Sequence, residues 1–356
     1  DFTLIAVAEE DGDLALTRLA VGEHILLGGD NMDLALAYAV AGTLPQGMDG
    51  LDSAQRVALG HACRAAKETL FADPKKQSAP VTILGRGSRV IGGTIKAELG
   101  RDQLNQVLVE GFLPACEPTD QPTRGRRVGL TEIGLPYAAD PAITRHLARF
   151  LGRQAGSLHA EGAMIFPSAV LFNGGVFKAD VLRKRVLDVL SGWAGKPVPE
   201  LKSDDLDQAV ARGAAYYGQV RRGRGVRIRG GVARSYYIGL ETSAPAVPGV
   251  APEVKALCVV PMGMEEGTQA DVPGADLGLV VGEPAVFRFL SSTTRRDDAV
   301  GDVVERWSPE EIQELAPLET ALPVEGGAEG TVVPVRLHSH VNEVGTLELS
   351  CLATRD

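Results

Sequence analysis

Apolar and polar positions change their rhythm partway along this chain. In the first 220 residues, short apolar runs alternate with segments of helical period. Phe2–Val7 and Leu14–Ala20 flank Glu9-Glu10-Asp11-Gly12-Asp13, which predicts a β-hairpin. Helices are predicted over about Met32–Ala41, over Ser53–Phe71 with Asp52 or Ser53 as cap, and over Arg101–Phe112, where Leu104, Val107, Leu108 and Phe112 fall on one side. Short strands are predicted at Val81–Leu84 and Arg89–Ile95. Asp140-Pro141 reads as an N-cap and first helical position, ahead of Ile143, Leu147, Phe150 and Leu151 on one face. Ala169–Phe172 then runs apolar into Gly174-Gly175 and a helix to about Leu190, and a last helix spans about Asp205–Gln219. Strands alternating with helices predict an α/β layer architecture.

After Val220 the period shortens. Arg221–Gly231 is a Gly/Arg segment, read as a linker that could still add an edge strand through Val226 and Ile228. Beyond it, strands are predicted at Ser235–Leu240, Lys255–Val260, Pro284–Leu290, Val332–Val341 and Thr346–Ala353, with one short helical turn at Ser308–Leu315. Strict alternation in Val333, Val335, Leu337 and in Leu347, Leu349, Cys351 describes a half-solvated β-sandwich. The apolar candidates Val259, Val260, Met262, Met264, Val286, Phe287 and Phe289 suit its core or a groove; methionines adapt to irregular apolar surfaces.

Composition narrows the function classes. With 356 residues, two domains are expected, and 44% hydrophobic residues suffice for real cores. A net charge of -10 argues against non-specific nucleic-acid binding. No apolar run reaches the ~18 residues that would span a bilayer, and no signal peptide is evident, so no membrane partner is expected. The 4 cysteines have no paired spacing, which suits reduced thiols and a cytoplasmic protein. His338 and His340 share a strand face, but a metal centre needs further ligands. The start at Asp1, with a strand already under way, reads as a fragment of a longer protein.

The chemistry concentrates at glycine turns. Backbone approaches a flat or phosphorylated ligand closely only where Cβ atoms are absent. Gly174-Gly175, between an apolar strand and a helix, and Gly28-Gly29, ahead of another helix, both qualify. Each also has a purely structural reading, as a strand–helix turn or a cap.

Five segments carry a resemblance to a known family. Gly22–Asp33 is similar to GDTHLGGEDFD, and Cys63–Leu70 to an E-x-A-K-x-x-L-S helix. Leu171–Lys178 is similar to a V-G-G-S-T-R turn, Leu206–Ala215 to P-D-E-A-V-A-x-G-A-A, and Tyr236–Thr242 to L-S-L-G-I-E-T. Together, in this order, they resemble the DnaK-type heat-shock chaperones of the seventy-kilodalton class, as a divergent member.

The resemblance implies an α/β actin-like ATPase lobe of the ribonuclease-H-like kind followed by an all-β sandwich domain. The boundaries expected are lobe II over 1–220, with an inserted helix-and-strand subdomain at 52–135, a linker over 221–234 and a peptide-binding β-domain over 235–356. It implies ATP/ADP, with Mg in the intact protein, and nucleotide binding by Lys67, Gly174, Gly175, Lys178, Asp207, Gly28 and Gly29. Asp207 is equally read as an N-cap. Implied partners are an unfolded polypeptide or protein client and co-chaperones. Asp1 aligns with the end of the family's second phosphate motif, so these residues alone are expected not to hydrolyse ATP. Arg64, Glu68, Phe71, Val176 and the Arg-rich linker depart from the family pattern. They keep open a non-hydrolysing interaction scaffold on the same fold, and also a sugar-kinase-like reading, against which the β-domain argues.

Overall fold

The computed structural model describes residues 1–22, 24–85, 93–123, 138–157, 164–203, 205–241, 254–274, 277–282, 284–321, 330–342 and 345–354. The fold is mixed α/β with many strands. It divides into one unit of residues 1–23, 156–160 and 225–356, and a second of residues 24–155 and 161–224. The last division, after Arg224, falls inside the Arg/Gly segment, and the first hairpin belongs to the same unit as the C-terminal strands.

The hairpin is formed by β1 (Thr3–Glu10) and β2 (Asp13–Val21), antiparallel, with Asp11 and Gly12 at positive φ in the turn.

The helical unit opens with α1 (Gly29–Ala41) and α2 (Ser53–Ala72). Apolar residues at helical spacing face each other: Met32, Leu36, Ala37 and Val40 on α1, Leu59, Cys63, Ala66 and Leu70 on α2, all buried. Asp52 caps α2 in a reciprocal box with Gln55. At the other end the Arg101 guanidinium donates to the carbonyls of Leu70, Asp73 and Lys76 at 2.7–2.8 Å, satisfying carbonyls left over by helix and turn. Strands β3 (Ser78–Leu84) and β4 (Thr94–Gly100) pair antiparallel. The expected strand Arg89–Ile95 lies mostly outside the described residues; β4 begins at Thr94.

The segment expected as one helix over Arg101–Phe112 is α3 (Arg101–Asn105) continued by a π-helical turn over Gln106–Glu110. Helix α4 (Ile143–Ser157) starts two residues past Pro141. Asp140 still organises its start, accepting hydrogen bonds from the Thr123 and Ala142 amides and from Arg145. Two short parallel strands, β5 (Val170–Leu171) and β6 (Glu200–Leu201), bracket α5 (Asp180–Ala194). Helix α6 (Ala209–Val220) closes the unit.

In the other unit β7 (Ile228–Arg229) adds to β2 in parallel, so the Arg/Gly segment does contribute an edge strand, though Ile228 is half exposed rather than turned inward. Arg227 pairs with Glu265 and Glu266, and Arg229 with Glu10. Gly230 and Gly231 have positive φ, and a Cβ on Gly231 would collide with the carbonyl oxygens of Gly263 and Met264. These glycines are therefore required by close backbone packing.

One antiparallel sheet contains β8 (Ser235–Glu241), β9 (Val254–Val260), β12 (Pro284–Ser292), β13 (Val303–Val304), β14 (Gln313–Glu314) and β15 (Leu318–Ala321). The other contains β10 (Thr268–Asp271), β11 (Leu277–Val280), β16 (Val332–Val341) and β17 (Leu347–Ala353). Alternation puts Ile238, Leu257 and Val259 of the first sheet against Leu337 and Val341 of the second. The first sheet is also covered on its other face, where Tyr237, Ala256, Cys258 and Leu290 pack under Val304, Ile312 and Trp307. The turn of helix expected at Ser308–Leu315 is present at its start only: the Glu311 and Ile312 amides donate to the Ser308 carbonyl, after which Ile312 packs on that face and Gln313–Glu314 pair with β12.

Among the described residues no helix is long and apolar enough to cross a membrane.

Candidate functional site

A cleft of about 960 Å³ lies in the helical unit. Four stretches distant in sequence converge on it: Ile25–Met32 leading into α1, Arg64–Ala72 on α2, Gly175–Leu182 entering α5, and Asp207 before α6. Of the residues singled out from sequence, Lys67, Gly175, Lys178, Asp207, Gly28 and Gly29 all line this space, and Gly174 adjoins it through the chain. Their common location follows from the packing of α1 on α2, which local sequence does not specify, and from the turn between β5 and α5.

The glycines differ in what they do. Gly174 has φ 90° and ψ 156°, a conformation open essentially to glycine alone. Gly175 has an ordinary φ, and an added Cβ would meet only Asp207 Oδ1 at 3.9 Å. Gly29 likewise has room: its Cβ would meet Val176 Cγ2 at 3.9 Å and Lys67 Nζ at 4.0 Å. So Gly174 shapes the turn, while Gly29 and Gly175 leave space open at the cleft wall.

The charges are organised in pairs. Lys67 Nζ lies 2.7 Å from Asp33 Oδ1, with side chains 11% and 9% exposed. The ammonium approaches without the alignment of a directed hydrogen bond, so charge holds the contact. Arg64 reaches the other Asp33 oxygen at 3.2 Å, Asp30 at 3.3 Å and Glu68 at 3.9 Å. Lys178 Nζ is 2.5 Å from Asp207 Oδ2, and that carboxylate holds the exposed ammonium above its usual value. Behind the pair, burial first and Asp33 second push the Cys63 thiol up to about 12.

Two sequence expectations change here. Asp207 is not the cap of α6: its carboxylate turns to Lys178, and Asp205 accepts the amides of Asp207 and Gln208 instead. Asp33, expected only as part of a glycine turn, is a buried anion behind the cleft wall that holds Lys67 and Arg64. Its signal in the sequence is a carboxylate placed on the apolar face Met32, Leu36, Ala37, Val40 of α1, where a buried acid needs a cationic partner. Phe71, Val176, Ala179 and Leu182 supply an apolar wall to the same cleft.

The strand unit holds a second concavity of about 560 Å³ between its two sheets. Tyr236 and Phe289 stack at 5.4 Å on one side of it, with Phe287 and Leu318; Leu347 and Leu349 of β17 face them. Of the remaining candidates, Val259 and Val260 are fully buried core, Met264 packs against that core, and Val286 points outward. His338 bonds Asp271 and His340 bonds Glu348, and no group of three metal-ligating side chains occurs among the described residues.

No family model matches this chain, and no curated protein matches it.

Proposed function

We propose that the helical unit binds an adenine nucleotide in the cleft between α1, α2 and the Gly174-Gly175 turn, and that the protein is a divergent, nucleotide-regulated chaperone of DnaK type. The observation that carries the reading is convergence. Residues picked from widely separated segments for one ligand line one space of about 960 Å³, a size suited to a cofactor.

In this reading the helical unit is an actin-like lobe. The base rests on the wall of Phe71 and Val176, the backbone of Gly175 lies against the nucleoside, and Gly28-Gly29 at the start of α1 face the phosphate end. Magnesium enters only with ATP or ADP in the intact protein. The concavity between the sheets, lined by Tyr236, Phe287, Phe289, Leu318, Leu347 and Leu349, takes apolar side chains of an unfolded polypeptide. Ligand state couples to client binding by favouring one conformation over another. Co-chaperones and a cytoplasmic location belong to the same proposal.

One observation favours a second reading, the non-hydrolysing scaffold: Arg64, Lys67 and Lys178 are all engaged by carboxylates of the protein itself.

Calorimetry with ADP, with adenosine and with a Leu-rich unfolded peptide separates the two. The first reading expects nucleotide or nucleoside binding that Gly29→Leu blocks, because the new side chain projects toward Val176 and Lys67. Peptide binding with neither adenosine nor ADP bound supports the scaffold.

A further inference from the structure

Edge strands in this fold carry guards against pairing with another chain. β1 has a bulge between Leu4 and Ile5, β3 has Pro80, and β4 has Lys96 and Glu98. β10, β11 and β15 have only 4 residues each. Bulges, prolines, charges and short length all blunt an open edge. β17 has none of these guards beyond the single charge of Glu348. It runs for 7 residues and keeps one register with β16 from Leu347 to Ala353. Its outer edge pairs with no strand among the described residues.

The ladder with β16 fixes which backbone groups face outward. The Asn342 amide donates to the Thr346 carbonyl and the Thr354 amide to the Pro334 carbonyl, both at 2.9 Å. Opposed residues in an antiparallel ladder alternate between bonded and non-bonded pairs. Glu348, Ser350 and Leu352 therefore bond to β16, and the amides and carbonyls of Leu347, Leu349, Cys351 and Ala353 point to the open edge. The side chains of Leu347, Leu349 and Cys351 line the concavity between the sheets. The other face of β17 presents Glu348, held by His340 and Asn342, then Ser350 and the half-exposed Leu352.

We infer that β17 pairs antiparallel with β17 of a second copy of this chain, about a twofold axis at Ser350, and joins two sheets into one. This register engages every outward residue: Leu349 stands opposite Cys351 of the second copy, and Leu347 opposite Ala353. Glu348 stands opposite Leu352 and covers it, so no like charges meet; an axis at Glu348 would oppose two carboxylates. The contact is self-complementary, as a twofold interface must be. It stands apart from the nucleotide reading.

The test is the mass of the full chain in solution, by sedimentation and light scattering over a range of concentrations, with cysteines as register probes. The unaltered chain is expected to be a dimer that dissociates on dilution. Ser350 faces its own copy in a non-bonded pair, where Cα atoms lie about 4.5 Å apart, within reach of a disulfide. Under mild oxidation Ser350→Cys is expected to give a covalent dimer well above the level of the unaltered chain, and Glu348→Cys is not. Ser350→Lys sets two ammonium groups against each other on an exposed face, and is expected to raise the dimer dissociation constant about tenfold with the circular dichroism unchanged. Cys351 then reacts more slowly with a thiol reagent in the dimer than in the diluted chain. A chain that is monomeric at every concentration overturns the inference. So does a dimer indifferent to Ser350→Lys, or one that Glu348→Cys cross-links as readily as Ser350→Cys, because the contact then lies elsewhere or in another register.

Discussion

Lys67 on α2 and Asp33 on α1 form an ion pair at 2.7 Å whose side chains are only 11% and 9% exposed. It joins the two helices that build the cleft, and it sits at the position where the resemblance places an adenosine-clamping lysine. The same ammonium therefore has a structural duty before any ligand arrives.

Removing one charge of this pair leaves the other buried. Lys67→Met leaves Asp33 with Arg64, at 3.2 Å, as its remaining cation, so it is expected to destabilise the chain by less than the roughly 3–5 kcal/mol of a buried charge left wholly unpaired. Lys67→Met combined with Asp33→Leu is expected to recover most of that loss, since two apolar side chains of similar size satisfy the same interface. Urea unfolding of the single and double variants measures both. A double variant no more stable than the single one refutes the pairing.

Gly174 and Gly175 are predicted to separate sharply. Gly174→Ala forces a Cβ into φ 90°, ψ 156° and is expected to cost about 1–3 kcal/mol. Gly175→Ala meets only Asp207 Oδ1 at 3.9 Å and is expected to change stability by less than about 0.5 kcal/mol. Thermal melts of the two variants decide it; equal losses would mean that both glycines answer to backbone conformation.

Acid stability is tied to one network in the strand unit. Burial pushes the Asp298 carboxyl up, but hydrogen bonds from Arg295 and Tyr237 outweigh it and hold the group below its ordinary value. A folded-state value below the unfolded one means stability that is complete above the unfolded value of about 3.9 and is lost as pH falls below it. Asp298→Asn is expected to lower the urea midpoint near neutrality and to flatten its fall on the acid side. A variant whose midpoint falls as steeply as the parent's between pH 5 and 2.5 (roughly the window that linkage marks out) would show that other carboxylates dominate.

The cysteines should divide into two classes. Cys63 and Cys258 are fully buried, and burial pushes both thiols up to about 12. Cys116 and Cys351 are half buried. An aromatic disulfide reagent at pH 8 is expected to modify Cys116 and Cys351 in the folded chain and to reach Cys63 and Cys258 only on unfolding. Rapid modification of Cys63 in the folded chain would place α1 and α2 further apart than described.

Helix α2 was legible over Ser53–Phe71, with Asp52 or Ser53 as its cap, because capping and helical period are local; the structure chooses Asp52 and adds Gln55 to the cap. Strands β16 and β17 were legible for the same reason: alternation marks a strand with one wet face. Ser308–Leu315 was legible in its first turn, where the Ile312 amide donates to the Ser308 carbonyl, but not at its end, where Ile312 packs over Tyr237 and Cys258 and the next two residues pair with β12. Strands β10, β11 and β15, of four residues each, were too short for a periodic signal and exist because a neighbouring strand offers them an edge.

By itself the sequence determined the longer helices and strands and where glycine relieves the backbone, because these rest on forces between near neighbours in the chain; the seven residues to look for in one place came from the resemblance of five segments to a known family. Only the tertiary structure decided that Lys67 faces Asp33 and Lys178 faces Asp207, so that the cations of the cleft are already neutralised. Charge pairing depends on distances of a few ångströms between residues about thirty positions apart in the chain, and no local pattern encodes such distances.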